Sequence, residues 1–293
     1  MSDDVAEYYN QNTTSFLRFG RGSRTTGSIH RALWGPGVTS HAQAMDYVHT
    51  RIITAFQNTM PARETGGDPQ RSVQLADLGC GVGASMQRVS AALDAEVSGV
   101  TVSSVQQRLA TARCASSRRR CRVLTGDFTD PTVLGALADR GPLDGIWMIE
   151  AYNHAHDGDE LLQGIATILR PGGILAICDD IPDDRLVNGP LNRRETRRRE
   201  EFVNGWHVHT FWSPEMLRRR AEAHGLELIG HEDYSNYVAV DRPRDLLVRA
   251  IAGPARRLHL RGGEWDNMRG GNALQQLSKS RLIRYAMYLF RRR

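Results

Sequence analysis

"LADLGCGVGAS", residues 75–85, begins as an apolar strand and continues into three glycines at alternate positions, Gly79, Gly81 and Gly83. Glycine lets the backbone turn sharply and approach a ligand closely, because it has no side chain. The residues that follow have a helical pattern, and the N-terminus of a helix offers N–H groups that the helix itself leaves unbonded. This strand, turn and helix predict a site for an adenosine-bearing ligand; a glycine-rich turn without a ligand is the alternative.

Strand and helix patterns alternate on both sides of this turn, from residue 73 to residue 180. Such alternation is typical of an α/β, doubly wound fold, in which helices cover both faces of a parallel sheet. Ligands of such folds bind at the carboxyl ends of the strands. The predicted strands are SVQLADLG, EVSGVTVS, CRVLTGD, LDGIWMIE and ILAICDDI.

The rest of the chain divides around this core. Residues 1–72 are predicted to form a helical cap, with a helix at 40–60, and residues 73–180 form the core itself. The segment 181–212 is polar, arginine-rich and aromatic, and it is too long for a simple connection, so we expect a lid. Residues 213–293 are predicted to complete the sheet. Their predicted elements are a helix at 213–225 that Ser213 caps, a strand at 226–235, a helix at 242–258 and a strand at 282–290.

The composition is that of an ordinary globular protein of 293 residues, with 40% hydrophobic and 24% charged residues. No run of eighteen apolar residues occurs, and the N-terminus is acidic and polar, so we expect a soluble, cytoplasmic protein without stable membrane insertion. The cysteines at 80, 114, 121 and 178 form no CxxC pair, which favours reduced thiols over disulfides or a zinc knuckle.

The net charge is +5, and the excess arginines are clustered, as in "NRRETRRRE" at 192–200. Clusters of this kind suit a polyanion, which could be nucleic acid, an anionic membrane surface or a phosphorylated small molecule. Solvated helix faces explain any single cluster as well.

The glycine turn, with Asp77 two residues before its first glycine, resembles motif I of the class I S-adenosylmethionine-dependent methyltransferases. The resemblance implies a Rossmann-like sheet of seven strands, and it places Asp77, Gly79, Cys80, Gly81 and Gly83 at the methyl donor. "TGDFTD" resembles the third-strand motif of the family, and "LRPGGIL" resembles its loop before the fifth strand. By this resemblance Asp127 would face the adenine amino group and Phe128 the adenine ring.

The second predicted strand departs from the common pattern. Most of these enzymes end it with an acid that binds the ribose hydroxyls, whereas here it ends "GVTVSSVQ". Thr101 and Gln106 are neutral side chains that can still form hydrogen bonds with a ribose. This stretch resembles the sterol, tocopherol, cyclopropane-fatty-acid and prenyl-diphosphate C-methyltransferases.

"IEAYNHAH", residues 149–156, is predicted to end the fourth strand, and it resembles a stretch of the sterol C-methyltransferases. The resemblance implies that an alkene takes the methyl group and becomes a carbocation, which Glu150 would stabilise and then deprotonate. Tyr152 would face the cation, and His154 is a further candidate for the proton. The alternatives are a structural Glu150 that caps a helix or binds the N-terminal segment, and a metal site at the histidines.

Aromatic side chains are the second requirement of cation chemistry, because ring faces stabilise positive charge. They are concentrated in the predicted cap and lid, although core packing explains any single one. The candidates are Tyr8, Tyr9, Phe16 and Trp34 in the cap, and Trp206, Phe211 and Trp212 in the lid.

The lid also offers groups that suit a diphosphate. Arg193, Arg197 and Arg198 have the planar donor geometry that phosphate oxygens accept. Asp180 and Asp183 provide carboxylates that could hold Mg²⁺. A charged, solvated helix and an acidic loop are the alternative explanations.

The sequence therefore predicts a methyltransferase that uses S-adenosylmethionine and methylates an alkene carbon of an isoprenoid diphosphate, geranyl or farnesyl, in bacterial-type terpenoid metabolism. One alternative is an O- or N-methyltransferase for a small natural product, with His154 as the base. Another is a basic RNA-binding or RNA-modifying protein, although no RNA-binding module is recognisable and no nucleic acid partner is expected. A homo-oligomer is compatible with the sequence.

Overall fold

The structure is a computed structural model that describes residues 5–7, 9–10, 13, 27–60, 72–115, 120–240 and 263–293. Tyr8, Phe16 and the helix predicted at 242–258 lie outside the described residues. Within the described ranges, no helix combines the length and the apolar character that crossing a membrane requires.

One seven-stranded sheet forms the centre of the molecule, with the strand order β3-β2-β1-β4-β5-β7-β6. The strands β1 to β5 are parallel, whereas β7 is antiparallel to both β5 and β6. The predicted seven-stranded, doubly wound fold is confirmed: the strands predicted between residues 73 and 180 are parallel, and β7 is the antiparallel strand among the seven. The strands are β1 (Val73–Leu78), β2 (Ala95–Thr101), β3 (Cys121–Thr125), β4 (Leu143–Ile149), β5 (Leu169–Pro182), β6 (Leu226–Asp233) and β7 (Ile283–Arg292).

Helices lie on both faces of the sheet, and two of them begin with the signals that the sequence carries. Ser40 and Gln43 form a capping box at the first helix, and Ser213 caps the eighth. The helices are α1 (His41–Thr59), α2 (Ala84–Leu93), α3 (Ser104–Ala115), α4 (Pro131–Leu137), α5 (Gly158–Ile168), α6 (Asp184–Asn188), α7 (Arg193–Gly205), α8 (Pro214–Ala223) and α9 (Gly263–Lys279).

Each face of the sheet has its own hydrophobic core. One core contains Leu161 and Ile165 of α5, and the other contains Val48 and Phe56 of α1. A third, smaller cluster holds α7 and α9 together around Phe202. Because α1 covers one face, the N-terminal part of the chain belongs to the core of the molecule.

The backbone before α1 pairs with the segment that follows β6, the strand at one edge of the sheet. Leu33 forms an isolated bridge with Val238, and the Trp34 N–H donates to the carbonyl of Tyr237 at 2.7 Å. The segment 27–40 therefore runs across the ends of β5 and β7, where the predicted site lies.

One predicted strand boundary differs by one residue, and one helix was not predicted. β4 ends at Ile149, and Glu150 already has a left-handed backbone with φ of 50°, so "EAYNHAH" turns away from the sheet. The helix α9 was not predicted, because its Gly270 and Gly271 are poor helix formers.

Candidate active site

The glycine turn after β1 has the backbone that its sequence requires. Gly79 has φ of 84°, and a Cβ atom there would lie 2.5 Å from the Cβ of Ala151. Gly81 has φ of 52°, and a Cβ atom there would meet no atom within 4 Å. Gly79 thus allows a close approach to the end of β4, and Gly81 borders open space that a ligand can fill.

The turn leads into α2 without a side-chain cap, since Gly83 is the N-cap residue and has φ of 78°. The first N–H groups of α2 are therefore available to a polar ligand. Cys80 is buried, and its N–H donates to the carbonyl of Val100 at 2.9 Å, so it holds the turn against β2.

Asp77 lies beneath this turn, where 1% of it is exposed, and it accepts a hydrogen bond from Ser85. Burial raises the pKa of Asp77 to about 7, although the hydrogen bond from Ser85 acts in the opposite direction. A nearby cation would favour the ionised form, so Asp77 suits a positively charged ligand.

At the end of β2, Thr101 donates to Oε1 of Gln106 at 2.7 Å, and both side chains are buried. Sequence reasoning missed two neighbours, Ser103 and Asn10. Oδ1 of Asn10 accepts from the Ser103 hydroxyl at 2.7 Å and from the Val105 N–H at 3.3 Å. The N-terminal segment therefore reaches the strand end at which the ribose was expected.

Asp127 and Phe128 follow β3. Oδ1 of Asp127 accepts from the N–H and the hydroxyl of Thr129, both at 2.8 Å. Phe128 is 3% exposed and belongs to the same core as Ala151. Their place at a carboxyl strand end agrees with the predicted adenine site, while their interactions within the chain stabilise the turn.

Glu150 contacts the N-terminal segment. Its Oε1 accepts from the Arg31 N–H at 2.8 Å and from the Tyr285 hydroxyl at 3.0 Å, and the Arg31 Nε lies 3.7 Å away. The structural alternative for Glu150, a hydrogen bond to the N-terminal segment, is therefore present in the structure. The predicted role in proton removal stays a prediction.

Arg31 is buried between two carboxylates. It forms an ion pair with Asp180, and its guanidinium lies 4.7 Å from the centre of the Tyr285 ring. Asp183 caps α6 by accepting from the Arg185 N–H at 2.9 Å.

The expected magnesium ligands thus have other partners, because Arg31 neutralises Asp180 and Asp183 binds a backbone N–H. Among the described residues, no group of three or more histidine, cysteine or acidic side chains is arranged to hold a metal ion. The metal site considered for the histidines is therefore absent from this part of the chain.

Tyr152 and Asn153 lie in the turn after Glu150. Tyr152 faces the hydrophobic core that contains α5. Tyr152 is fully buried in the core, and its ring packs against Trp212 at 6.3 Å. Asn153 donates from Nδ2 to Asp179 at 3.0 Å and to the carbonyl of Asp180 at 2.8 Å. Tyr152 therefore has a packing role here, and Asn153, which sequence reasoning missed, fixes the turn to β5.

His154 ends this turn and has a defined hydrogen-bonding state. Its Nδ1 lies 3.2 Å from the carbonyl oxygen of His207, and its Nε2 lies 3.1 Å from the Tyr9 hydroxyl. A carbonyl oxygen only accepts, so Nδ1 carries the hydrogen and Nε2 is the acceptor. Burial lowers the pKa of His154 to about 4, and the charge of Glu150 acts in the opposite direction. The ring is therefore neutral at pH 7, with a basic nitrogen facing a hydroxyl group.

Three of the predicted substrate-binding aromatics, Trp206, Phe211 and Trp212, pack against other side chains of the protein. Trp206 and Phe211 contact the cluster between α7 and α9, and Trp212 packs against Tyr152. Trp34 is 40% exposed and lies beside His41, with 6.5 Å between the ring centres. Of these aromatic candidates, Tyr9 makes the contact with His154.

The arginines of α7 differ in their surroundings. Arg193 and Arg197 are exposed, whereas Arg198 is half-buried and donates to Gln276 of α9 at 3.4 Å. A polyanion could therefore reach Arg193 and Arg197, while Arg198 joins two helices. All four cysteines are free thiols, as predicted.

The arrangement as a whole fits an adenosine-bearing methyl donor. The open space beside Gly81, the uncapped N-terminus of α2 and the buried Asp77 meet at one strand end. Thr101 and Gln106 lie at the next strand, with Asp127 and Phe128 beyond them. His154 and Glu150 follow β4 on the other side of β1.

Comparison with known proteins agrees with this geometry. Residues 75–173 match the model of a methyltransferase domain. The methyltransferase GfsG of Streptomyces halstedii is 37% identical over 236 residues, which are 80% of this chain and 76% of that protein. The chain belongs to the S-adenosylmethionine-dependent methyltransferases.

Two further relatives of this methyltransferase act on different molecules. The 2-methyl-6-phytyl-1,4-hydroquinone methyltransferase of Synechocystis is 28% identical, over 77% of this chain and 66% of that protein. The 27-O-demethylrifamycin SV methyltransferase of Amycolatopsis mediterranei is 27% identical, over 74% of this chain and 76% of that protein. The methyltransferase thus spans 66% of the first protein and 76% of the second.

Solved structures share the fold over nearly the whole chain. The cyclopropane synthase MmaA2 of Mycobacterium tuberculosis has a TM-score of 0.71 and 17% identity, over 99% of this chain and 98% of that chain. The geranyl diphosphate C-methyltransferase of Streptomyces coelicolor has a TM-score of 0.64 and 14% identity, over 99% of this chain and 97% of that chain. At this identity the likeness concerns the fold.

Proposed function

We propose that this methyltransferase transfers a methyl group to a hydroxyl oxygen of a small molecule, and that His154 accepts the hydroxyl proton. The observation that supports this most directly is the hydrogen bond between the Tyr9 hydroxyl and Nε2 of His154. It marks a place beside the end of β4 where a hydroxyl group donates to a neutral imidazole. An acceptor hydroxyl that takes the place of the Tyr9 hydroxyl would be oriented in the same way.

In the proposed reaction, the hydroxyl proton and the positive charge of the methyl donor are both accounted for. S-adenosylmethionine supplies an electrophilic methyl group on a positively charged sulfur. As the substrate oxygen forms its bond to the methyl carbon and the carbon–sulfur bond breaks, the hydroxyl proton moves to Nε2 of His154. The positive charge of the sulfur is thereby replaced by an imidazolium, whose formation the negative charge of Glu150 favours.

One relative supports oxygen as the acceptor atom, since the name of the 27-O-demethylrifamycin SV methyltransferase places the methyl group on oxygen. The cytoplasmic location and the homo-oligomer stay predictions from the sequence.

Product analysis tests the acceptor atom. The purified protein is incubated with donor that carries a ¹³C-labelled methyl group and with phenols, hydroquinones, macrolide alcohols and prenyl diphosphates, with and without Mg²⁺. We expect a product with the label on oxygen. A label on carbon in every product would contradict the proposal.

The variant His154→Gln tests the proposed base. Removing a general base lowers kcat by a factor of about 10² to 10⁴. The dissociation constant of S-adenosylhomocysteine, measured by calorimetry, should change little, because the donor site is intact. His156→Gln is the matched control, since His156 is exposed and its ring stacks on His209 at 3.9 Å. Equal turnover by the two variants would rule out His154 as the base.

A second candidate is C-methylation of an isoprenoid diphosphate, geranyl or farnesyl, through a carbocation. It is supported by the carboxylate of Glu150 at the end of β4, with Tyr285 as an aromatic neighbour at 3.0 Å, and by the exposed Arg193 and Arg197. In this reaction Glu150 removes the proton from the carbon next to the cation.

The variant Glu150→Gln separates the two candidates. For C-methylation, it should abolish the labelled alkene product, while His154→Gln stays active. For O-methylation, His154→Gln should be the more damaging change, because Glu150 acts on the proton only through its charge.

A further inference from the structure

A pair of histidines lies beside the contact between Arg31 and Glu150 and has no part in the proposed reaction. His30 belongs to the segment before α1, and His49 lies on α1. Their Nε2 atoms are 3.0 Å apart, and the rings meet edge to face with centres 4.7 Å apart. His49 is 1% exposed, and His30 is half-buried.

The outer nitrogen of each ring faces an oxygen atom. Nδ1 of His49 lies 3.2 Å from Oδ1 of Asp46, and Nδ1 of His30 lies 3.0 Å from the carbonyl oxygen of Arg31. A carboxylate and a carbonyl oxygen only accept hydrogen bonds, so both Nδ1 atoms must donate.

This arrangement needs one more proton than two neutral rings carry. Each of the three contacts requires a hydrogen atom, and a neutral imidazole has one N–H group. A protonated Asp46 would provide the third hydrogen atom. Burial favours that form, but the hydrogen bond from His49 and the charge of Arg88 lower the pKa of Asp46 overall. The third proton therefore belongs on the rings.

The charged groups around the pair favour a proton on the rings. They comprise four carboxylates, of Asp46, Glu150, Asp179 and Asp180, and two guanidinium groups, of Arg31 and Arg88. Because carboxylates outnumber guanidinium groups here, an imidazolium is electrostatically favoured.

We propose that His30 and His49 share one added proton in this arrangement, and that the shared proton holds the backbone of Arg31 against Glu150. On one side of Arg31 the His30 ring binds its carbonyl oxygen, and on the other side its N–H donates to Glu150. Loss of the proton leaves two unprotonated Nε2 atoms facing each other, and their repulsion should displace the His30 ring together with the Arg31 carbonyl that it binds. The pair is a pH-sensitive positioning device, and it is independent of which acceptor is methylated.

Electrostatics limit the pair to a single proton. Burial lowers the pKa of His30, while Glu150 and Asp46 act in the opposite direction. Burial also lowers the pKa of His49, to about 4, and the charges of His30 and Arg88 add to that effect. Because a charge on one ring opposes a charge on the other, the pair takes up one proton and resists a second.

The test is an NMR titration of protein with ¹⁵N-labelled histidine, between pH 4.5 and 8. We expect both rings to follow one common transition, with a midpoint below about 6.5, the pKa of an unperturbed histidine. The amide signal of Arg31 should shift with the same midpoint. Two separate transitions, or rings that stay neutral throughout, would overturn the proposal.

The variant His49→Gln provides a readout that a purely structural role would not change. Glutamine keeps a donor and an acceptor but does not titrate, so His30 should titrate alone and the midpoint of the Arg31 amide signal should move away from its wild-type value. His231→Gln is the matched control, because His231 is exposed on β6 and stacks on Tyr288. If the Arg31 signal titrates equally in both variants, the pair does not position Arg31.

Discussion

Glu150 combines a strained backbone with a carboxylate that several donors share. Its φ of 50° is uncommon for a residue with a side chain, and it turns the chain out of the sheet immediately after β4. The side chain binds Arg31 and Tyr285, which are 119 and 135 residues away in the sequence. The residue therefore joins the N-terminal segment, the fourth strand and the last strand at the edge of the candidate site.

Asp77 leads to a prediction about proton release. Burial raises its pKa to about 7, so it is partly protonated in the free protein at neutral pH. S-adenosylmethionine is cationic and should favour the carboxylate. We expect binding at pH 7 to release up to about half a proton, measured by calorimetry in buffers with different ionisation enthalpies. The Asp77→Asn variant should release none, and equal release by both proteins would contradict the assignment.

His154 leads to a prediction about stability. Its pKa is about 4 in the folded protein, below the ordinary value of 6.5, so the unfolded chain binds the proton first as the pH falls. Stability is therefore lost between about pH 6.5 and pH 4, by up to about 3 kcal/mol. Urea unfolding of the wild type and of His154→Gln at pH 7 and 4.5 checks this. The wild type should lose more stability than the variant, and equal losses would contradict the prediction.

At the scale of elements, α7 and α9 approach each other through two glycines. A Cβ atom on Gly270 would lie 2.6 Å from Cδ1 of Trp206, 3.0 Å from the carbonyl oxygen of Glu201 and 3.1 Å from the Cα of Gly205. A Cβ atom on Gly205 would collide with the carbonyl oxygen of Asp266. The helix thus tolerates poor helix formers because they permit close packing.

The neighbouring glycines provide a matched pair of variants. Gly270→Ala should destabilise the protein by about 1–3 kcal/mol, because the methyl group collides with Trp206 and with backbone. Gly271→Ala should be neutral or stabilise by up to about 1 kcal/mol, since its Cβ atom would lie 3.9 Å from Nε1 of Trp206. The free energy of unfolding in urea measures both, and a reversed order would contradict the packing argument.

The elements and contacts of this fold differ in how well they could be predicted from the sequence. The glycine turn was predictable, because its strand, turn and helix signals are adjacent in the chain. The helix α9 was not, since local propensity argues against it and contact with α7 outweighs that propensity. The partners of Glu150 were not predictable either, because no local pattern links residues more than a hundred positions apart. His154 was a candidate, but its tautomer depends on the carbonyl of His207, which only the fold brings near.

At the scale of the whole molecule, a buried ion-pair network connects the N-terminal segment to the sheet. Arg31 is 4% exposed and contacts both Glu150 and Asp180. The cap is therefore held by groups that are costly to leave unpaired.

The variant Arg31→Met should destabilise the protein by about 3–5 kcal/mol, because two carboxylates lose their buried partner. Arg120→Met is the control, since Arg120 is 79% exposed and its pair with Glu96 lies at the surface. That change should cost less than about 1 kcal/mol. Urea unfolding of both variants measures the difference, and equal effects would show that the network contributes little.

The position of β7 between β5 and β6 has a consequence for truncated proteins. β5 pairs with β7 along nine positions, from Ile174 to Pro182, and all nine of these β5 residues are buried. A fragment that stops before Ile283 would leave this long, apolar strand with unpaired N–H and C=O groups. Such an edge is a template for pairing with other chains, so the fragment should aggregate even though it retains every residue of the glycine turn.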